Sequence, residues 1–555
     1  MARKILVVAP WGDPGGWYRG KYFTGKLCVE SCSSLVPVML KAFEDAGFEN
    51  TRGLIVAVDT LSTTKEVPRS WQRAEELAKE RAEEYWRYFI GTGEISDEKK
   101  KGKCEERGFK LCGDGLQGDY IRYMEENVKV VVLPGMGKFP AGDEASGQVR
   151  VTFQGTLTLY SRMVLLHVLR EAMKMNPPSS EKLESSENSE NSEKLEIWLD
   201  LSHGVNYMPS SALVAVLDAA RILGYLMPVK VKVFNSTPYL RVISELSVLE
   251  MEIPLSPVQP PNPELEIDSD ELKINPKNLR GLYNYVLKNP HKILIDDIKN
   301  KIGSELKEPK FEDFYAVEAF HEAMFHALPL VALDYLPLKL KVGEIRILKN
   351  LLPYFIEALY AALRTVEVTE SGDGLTLETG QVVNKGILEF LPFVLECYAL
   401  SEGLSMITLA YSRHAEEREG KKGYSLSSLR KFYNNVIVSR LPHVRVFIDN
   451  EVHDILTTVV LARRRGNWFT LDDLKSLANK KSESEKEEAK NFLDKNADGE
   501  IKMRELLEKK ILVRYKDNFN LKSHISERNF RAHLGLTYKE VEIYIPEDAP
   551  LPVEK

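Results

Sequence analysis

Apolar positions follow two rhythms along the chain. Up to about residue 255, short β-branched runs recur: KILVVAP at 4–10, GLIVAVDT at 53–60, VKVVVLPG at 128–135, EIWLDLSHG at 196–204 and VKVKVFNSTP at 229–238. Helix-like amphipathic stretches separate most of them. Unbroken apolar runs such as Ile5 to Ala9 and Val128 to Leu133 suit strands buried on both faces, as in a parallel sheet covered by helices. SALVAVLDAARILG at 211–224 is predicted as one covering helix, stopped at Gly224. The pattern predicts a Rossmann-like α/β domain over residues 1–255.

Two segments interrupt this rhythm. NPPSSEKLESSENSENSEK at 176–194 cannot bury enough apolar surface to offset its ordering entropy and is predicted as a disordered surface loop. LSPVQPPNPELEIDSDE at 255–271 is too rich in proline for regular structure and marks the domain boundary. Residues 256–310 then read as a linker with short helices, in a succession that a helix-turn-helix would suit. Beyond it the apolar period becomes helical, in FEDFYAVEAFHEAMFHALPLVALDYL, LPYFIEALYAALRTVEV, KGILEFLPFVLECYALSEGLSMITLAYSR and SLRKFYNNVIVSRL. Residues 311–555 are therefore predicted as a mostly α domain. A charged insertion near 466–512 is expected outside its core, and VEIYIPEDAP closes the chain with a short strand on Val541, Ile543 and Ile545.

Composition narrows the function. The chain has 555 residues and a formal net charge of −7, which argues against a broad basic surface for duplex DNA and makes any nucleic-acid contact local. No stretch reaches the roughly 18 apolar residues of a membrane span, and the opening MARKILVVAP lacks a signal-peptide cleavage region, so a cytoplasmic protein is expected. Cys28, Cys32, Cys104, Cys112 and Cys397 show no CxxC spacing, which gives no reason to expect a metal site. They read as buried small side chains. A Glu and Lys enrichment of thermophilic kind would also allow a disulfide, such as Cys104 to Cys112.

The sharpest chemical signal is SERNFRAHLGL, with Arg528 and His533 on a segment that Ser526 can cap as a helix. RNA cleavage without metal needs a base for the 2′-hydroxyl, an acid for the leaving oxygen and a cation against the phosphorane, and His with Arg meets those needs. Five positions on an ideal helix turn through about 140°, so the two groups share a groove only if the helix end flares or a second copy completes the site. A dimer supplies that copy. The second signal is DLSHGVNYMP at 200–209, at the carboxyl end of a strand and before a helix, where open α/β sheets bind ligands. Ser202, His203 and Asn206 offer donors there, Gly204 permits close approach, and Tyr207 offers an aromatic face. The same edge collects PWGDPGGWYRGKYF after the first strand. Trp11, Gly12 and Asp13, with Trp17, Tyr18, Arg19 and Lys21, give it stacking faces and polar groups suited to a nucleotide. No GxGxxG is present, so a dinucleotide cofactor is not supported.

RNFRAH resembles the Arg-Asn-x-x-x-His signature of HEPN ribonucleases, which implies catalytic roles for Arg528 and His533 and a polar partner in Asn529. DLSHGVNYMP resembles the nucleotide-binding turn of CARF domains. Together they resemble the CARF–HEPN ribonucleases that accompany type III CRISPR systems. That resemblance implies an N-terminal CARF domain, a helical HEPN domain and a homodimer or higher homo-oligomer. It also implies single-stranded RNA as substrate, and activation by a cyclic oligoadenylate, often the tetra-adenylate. No cofactor is implied.

DKNADGEIKMRE at 494–505 fits an EF-hand loop through Asp494, Asn496, Asp498, Gly499 and Glu505, although one copy in a charged insertion needs no ion. Two readings compete with the ribonuclease. One is a nucleotide-sensing dimer whose linker helices bind DNA or a partner, and the other is a calcium-responsive scaffold.

Overall fold

The computed structural model describes residues 3–64, 66–95, 102–113, 117–142, 149–178, 194–204, 207–237, 245–253, 314–335, 347–371, 374–382, 385–438, 444–493, 511–521, 533–537 and 539–549, with Leu506, Arg531 and Leu551. The linker 256–310, the EF-hand-like loop 494–505, residues 179–193, and Asn206, Arg528 and Asn529 lie outside the described residues. The first half of the chain runs β1 (Lys4–Pro10), β2 (Gly20–Thr24), β3 (Leu27–Ser31), α1 (Leu35–Ala46), β4 (Thr51–Val58), α2 (Trp71–Ile90), β5 (Lys110–Leu111) and α3 (Gln117–Asn127). It continues with β6 (Val128–Leu133), β7 (Met136–Ala141), β8 (Val149–Gln154), α4 (Leu157–Met175), β9 (Leu195–Asp200), α5 (Tyr207–Gly224), β10 (Val229–Ser236) and β11 (Glu245–Ile253).

Nine of these strands form one sheet in the order β5-β3-β2-β11-β10-β9-β1-β4-β6. The run β10-β9-β1-β4-β6 is parallel throughout. Successive side chains of a strand point to opposite faces, so Ile5, Val7 and Ala9 enter a core with α1 and most of α2. Leu6 and Val8 enter the core built with α4 and α5. All five are at most 1% exposed, as expected for a central strand covered twice. The chain switches sides at β1, with β4 and β6 laid to one side and β9 and β10 to the other. That reversal opens a crevice at the carboxyl ends of β1 and β9.

The disulfides differ from the expected Cys104–Cys112 pair. Cys28 bonds to Cys112 and Cys32 to Cys104, because β5 pairs antiparallel with β3 and sets Leu111 opposite Val29. Cys112 is thereby brought beside Cys28, with 5.2 Å between their Cα atoms. Cys397 is free and buried.

The second half combines helices with short strands. It runs α6 (Phe314–Phe325), a π-helical turn (Val331–Tyr335), α7 (Ile347–Arg364), β12 (Thr369–Ser371), β13 (Gly374–Leu377), α8 (Lys385–Tyr411), β14 (Ala415–Arg418), β15 (Lys421–Ser425) and α9 (Leu426–Phe432). Then follow α10 (Arg445–Ala462), β16 (Asn467–Thr470), α11 (Leu471–Asn479), α12 (Glu483–Leu493), β17 (Leu512–Tyr515) and β18 (Val541–Ile545). The predicted terminal strand is present, and it joins a five-stranded sheet, β14-β15-β17-β18-β16. The described part of the second half is thus mostly α as expected, with a small sheet that the apolar period did not reveal beyond its terminal strand. The charged insertion also begins inside the fold: β16 pairs with β18 from Asn467 to Thr470, and Leu471 and Leu474 of α11 are buried. The boundary near 255 does not divide the packing either, since β13 pairs with β8 in a second sheet, β12-β13-β8-β7. Helices α7 and α8 contact α4, and one apolar core runs through both halves. No helix among the described residues is long and apolar enough to cross a membrane.

Candidate functional site

The crevice at the switch point is built by locking two turns together. Gly12 N–H donates to His203 O at 3.0 Å, and Trp11 N–H to Val56 O at 2.8 Å, so the loop after β1 is fixed to both neighbouring strand ends. Asp200 closes β9 and organises the second turn. Its carboxylate accepts from Ser34 Oγ at 2.6 Å, Ser202 Oγ at 2.6 Å and Ser202 N–H at 3.1 Å. Burial pushes this carboxyl above its ordinary range, against those three donors. Ser202 Oγ in turn accepts from Ser236 N–H at 2.9 Å, which ties in β10.

His203 is held on both sides. Its Nε2 accepts the Ser34 N–H at 3.0 Å, and its ring stacks on Trp17 with centroids 4.0 Å apart and planes 20° apart. Burial pushes the imidazole down to about 3, so the ring is neutral at neutral pH with its hydrogen on Nδ1. Ser202 and His203 therefore brace the turn, where donors to a ligand were expected. Gly204 is needed for a different contact from the one anticipated: a Cβ there would stand 2.6 Å from Pro209 Cγ.

Trp11 is also corrected. It continues the odd-numbered alternation of β1 into the core, where it is 0% exposed and meets Trp17, Trp86 and Phe89 edge-on. Its face is closed to a ligand. Trp17, half-buried between His203 and Phe89, carries the aromatic surface at the crevice. Asp13 caps the turn Pro14–Gly16 by accepting from Gly15 N–H at 3.0 Å and pairs with Arg81 at 2.7 Å. Arg19 donates to Glu106 O and Gly108 O, so it secures the disulfide-bonded segment 102–113.

Tyr207 begins α5, whose first N–H groups have no partner within the helix. Its ring sits edge-on to Tyr160 and its hydroxyl accepts from Met136 N–H at 3.2 Å, which turns the predicted aromatic face toward the loop after β6. Burial pushes that hydroxyl up to about 12. The same loop meets Asp59, which follows the apolar run of β4 and which the sequence alone did not single out. This buried carboxyl accepts from Gly135 N–H at 2.8 Å and Trp71 Nε1–H at 3.0 Å, and burial pushes it up to about 7.

In the C-terminal half, Arg531 is helical and His533 stands in a turn. Leu534 and Gly535 take φ of 51° and 77°, left-handed values that end a helix abruptly. The corner is pinned by buried Leu534 and by Tyr515 Oη, which donates to Gly535 O at 2.9 Å. His533 stands in the turn after Arg531, with its side chain 35% exposed. Its Nδ1–H donates to Glu451 Oε1 at 3.0 Å. Burial pushes Glu451 up, and the bond to His533 opposes that rise. A carboxylate on Nδ1 fixes the orientation of the ring. Glu451 is another residue that sequence reasoning missed: it lies on α10, 82 positions before its partner, in a helix with no motif to mark it.

The doubly wound sheet, with its switch point at β1, defines the N-terminal half as a Rossmann-like α/β domain. Residues 6–238 match the family described as CRISPR system endoribonuclease Csx1, CARF domain. The match identifies the N-terminal half as similar to that CARF domain and does not extend into the C-terminal half. A relative from Methanocaldococcus jannaschii, named CRISPR system endoribonuclease Csx1, is 28% identical over 237 residues, which are 43% of this chain and 37% of the relative. The chain therefore spans little more than a third of the relative's length. A solved structure, Enterococcus italicus Csm6 bound to cyclic hexa-2′-fluoro-hexa-dAMP, aligns over 88% of this chain and 98% of its own at 10% identity. Its TM-score of 0.20 carries no argument about the fold.

Proposed function

We propose that the chain is a cytoplasmic, metal-independent endoribonuclease of type III CRISPR defence, switched on by a cyclic oligoadenylate. The observation that carries the reading is the joint presence of a CARF domain at 6–238 and a carboxylate-anchored histidine, His533 on Glu451, in the segment that resembles a HEPN motif. The activator lies across the switch-point crevice, with a base on Trp17 and phosphates near the start of α5. Two copies of the chain form a homodimer, so that paired crevices share one cyclic ligand and paired RNFRAH segments form one cleft. In that cleft His533 moves the proton of the RNA 2′-hydroxyl, Arg528 stabilises the phosphorane, and Asn529 contributes a polar contact. Single-stranded RNA is the substrate, and the products end in 2′,3′-cyclic phosphate or 3′-phosphate.

Allosteric control requires the activator to bind the active state more tightly than the inactive one. The seam through which α7 and α8 meet the first domain supplies the mechanical path. The test is to incubate labelled single-stranded RNA with the protein, EDTA and each cyclic oligoadenylate in turn. Cleavage that depends on one ring and leaves cyclic phosphate ends is the expected result. Cleavage abolished by EDTA, or indifferent to every ring, defeats the reading.

A further inference from the structure

A cavity of about 360 Å³ lies where α7 covers the open edge of the large sheet. That edge is β6, the last strand in the order. In a parallel strand a residue's N–H and C=O point to the same side. Val132 O accepts from Tyr360 Oη at 3.0 Å, so Val132, and Val130 two positions before it, turn their backbone groups away from β4 and toward this cavity. Both line it, together with Ile356.

Two buried polar atoms at this place lack a hydrogen bond among the described residues, His167 Nδ1 and Arg170 Nε, the latter standing 4.0 Å from Glu171 Oε1. His167 is 3% exposed and lines the cavity. The hydrogen on Tyr360 Oη goes to Val132 O, so at 3.1 Å from His167 Nε2 the same oxygen accepts. Nε2 therefore carries the ring hydrogen. Burial, helped by Lys129 and Arg170 nearby, pushes the imidazole down to about 3, and Nδ1 presents a bare lone pair. The wall also carries Lys79, Lys129, Arg170 and Arg364 against the carboxylates of Glu75 and Glu357. Glu75 is engaged by Arg364 through two bonds of 3.0 and 3.1 Å. Lys129 is bonded to Glu171 at 3.2 Å and Lys79 stands 3.9 Å from Glu83. The lining itself thus carries more cations than carboxylates, and an anionic ligand would share them with Glu171 and Glu83. The volume falls at the lower end of the roughly 300–1,000 Å³ of small-molecule sites and is too small for a ring of nucleotides.

We propose that this cavity is a second ligand site, separate from the switch-point crevice, for a phosphate monoester of mononucleotide size. Arg170, Lys79 and Lys129 take the phosphate, His167 Nδ1 accepts from a hydroxyl or amino group of the ligand, and Val130, Val132 and Ile356 face its apolar part. The occupant touches α2, β6 and α4 on one side and α7 on the other, so it bridges the two halves of the chain.

The test uses the full chain, with AMP, ribose 5-phosphate, adenosine and inorganic phosphate as probes, read by equilibrium dialysis and by Tm. AMP or ribose 5-phosphate should bind saturably and raise Tm, and whichever binds more tightly identifies the ester. Arg170→Ala and Lys129→Ala should each weaken that binding by roughly tenfold, the worth of one charge-assisted hydrogen bond. His167→Gln should weaken binding of the ester, and Trp17→Ala should leave the dissociation constant of the ester unchanged. Arg170 and Lys129 are partly exposed, so their variants keep the test valid if His167→Gln fails to fold. The site is overturned if neither ester binds saturably, if inorganic phosphate or adenosine binds as tightly as the better ester, or if Trp17→Ala rather than Arg170→Ala removes the binding.

Discussion

His203 and His533 both stand at short polar corners, and the fold treats them in opposite ways. His203 is stacked on Trp17, accepts a backbone N–H and is held neutral by burial. Those contacts make it a structural spacer between β1, β9 and α1. His533 is partly open, sits where a helix ends in left-handed backbone, and is anchored through Nδ1 by a carboxylate. The difference bears on where the proposed proton transfer can lie. An imidazole held neutral by burial, as His203 is, cannot cycle as base and acid near neutrality. In the proposed cleft that role accordingly falls on His533, partly open and oriented by a carboxylate.

The largest expected effect separates the two corners directly. His533→Ala should lower RNA cleavage by about 10²–10⁴-fold while leaving activator binding unchanged. His203→Ala should leave the catalytic groups intact and raise the activator concentration needed. Equal losses at saturating activator for the two variants would erase the contrast. Glu451→Gln should cost roughly 10- to 100-fold in cleavage rate, because a charge-assisted hydrogen bond is worth about 1.5–3 kcal/mol. Circular dichroism should show the fold retained, and a rate equal to wild type would remove Glu451 from the site. Trp17→Ala should raise the half-activating ligand concentration by about 5- to 150-fold, from about 1–3 kcal/mol per stacked base, with the plateau rate preserved.

The smallest effect on activity concerns Asp59, which sharpens the comparison through stability. Its folded value of about 7 stands above the ordinary 3.8, so the stability it contributes is complete below about 3.8 and is lost as pH rises to about 7. Asp334 and Glu396, raised by burial to about 7 and about 8, add to the same slope. In Asp59→Asn, Tm should fall less steeply than in wild type between pH 4 and 7. Parallel profiles would mean that this carboxyl is not held protonated by burial.

The first domain was legible because its strands are long apolar runs buried on both faces, as Ile5 to Ala9 are. The position of the DLSHG turn at a strand's carboxyl end followed from the same pattern. Roles within the turn did not. Ser202 and His203 look like donors in a string of letters, and only the approach of Ser34 and Ser236 reveals that they are engaged. Trp11 and Trp17 were equivalent in sequence, and the parity of β1 decides that the first is buried. The second half was harder because its strands, such as NWFT and LVRY, have four residues each and are too short to establish an alternation against helical surroundings. Glu451 carried no signal, since its pairing depends on bringing α10 against a corner 82 residues away.

The most direct measurement of the central claim is RNA cleavage titrated with the activating cyclic oligoadenylate for wild type, Trp17→Ala and His533→Ala, with ligand binding measured in parallel. The account predicts that Trp17→Ala reaches the wild-type plateau only at higher ligand concentration, and that His533→Ala binds like wild type and cuts nothing. Coincident titration curves for wild type and Trp17→Ala, or undiminished cleavage by His533→Ala, would contradict it.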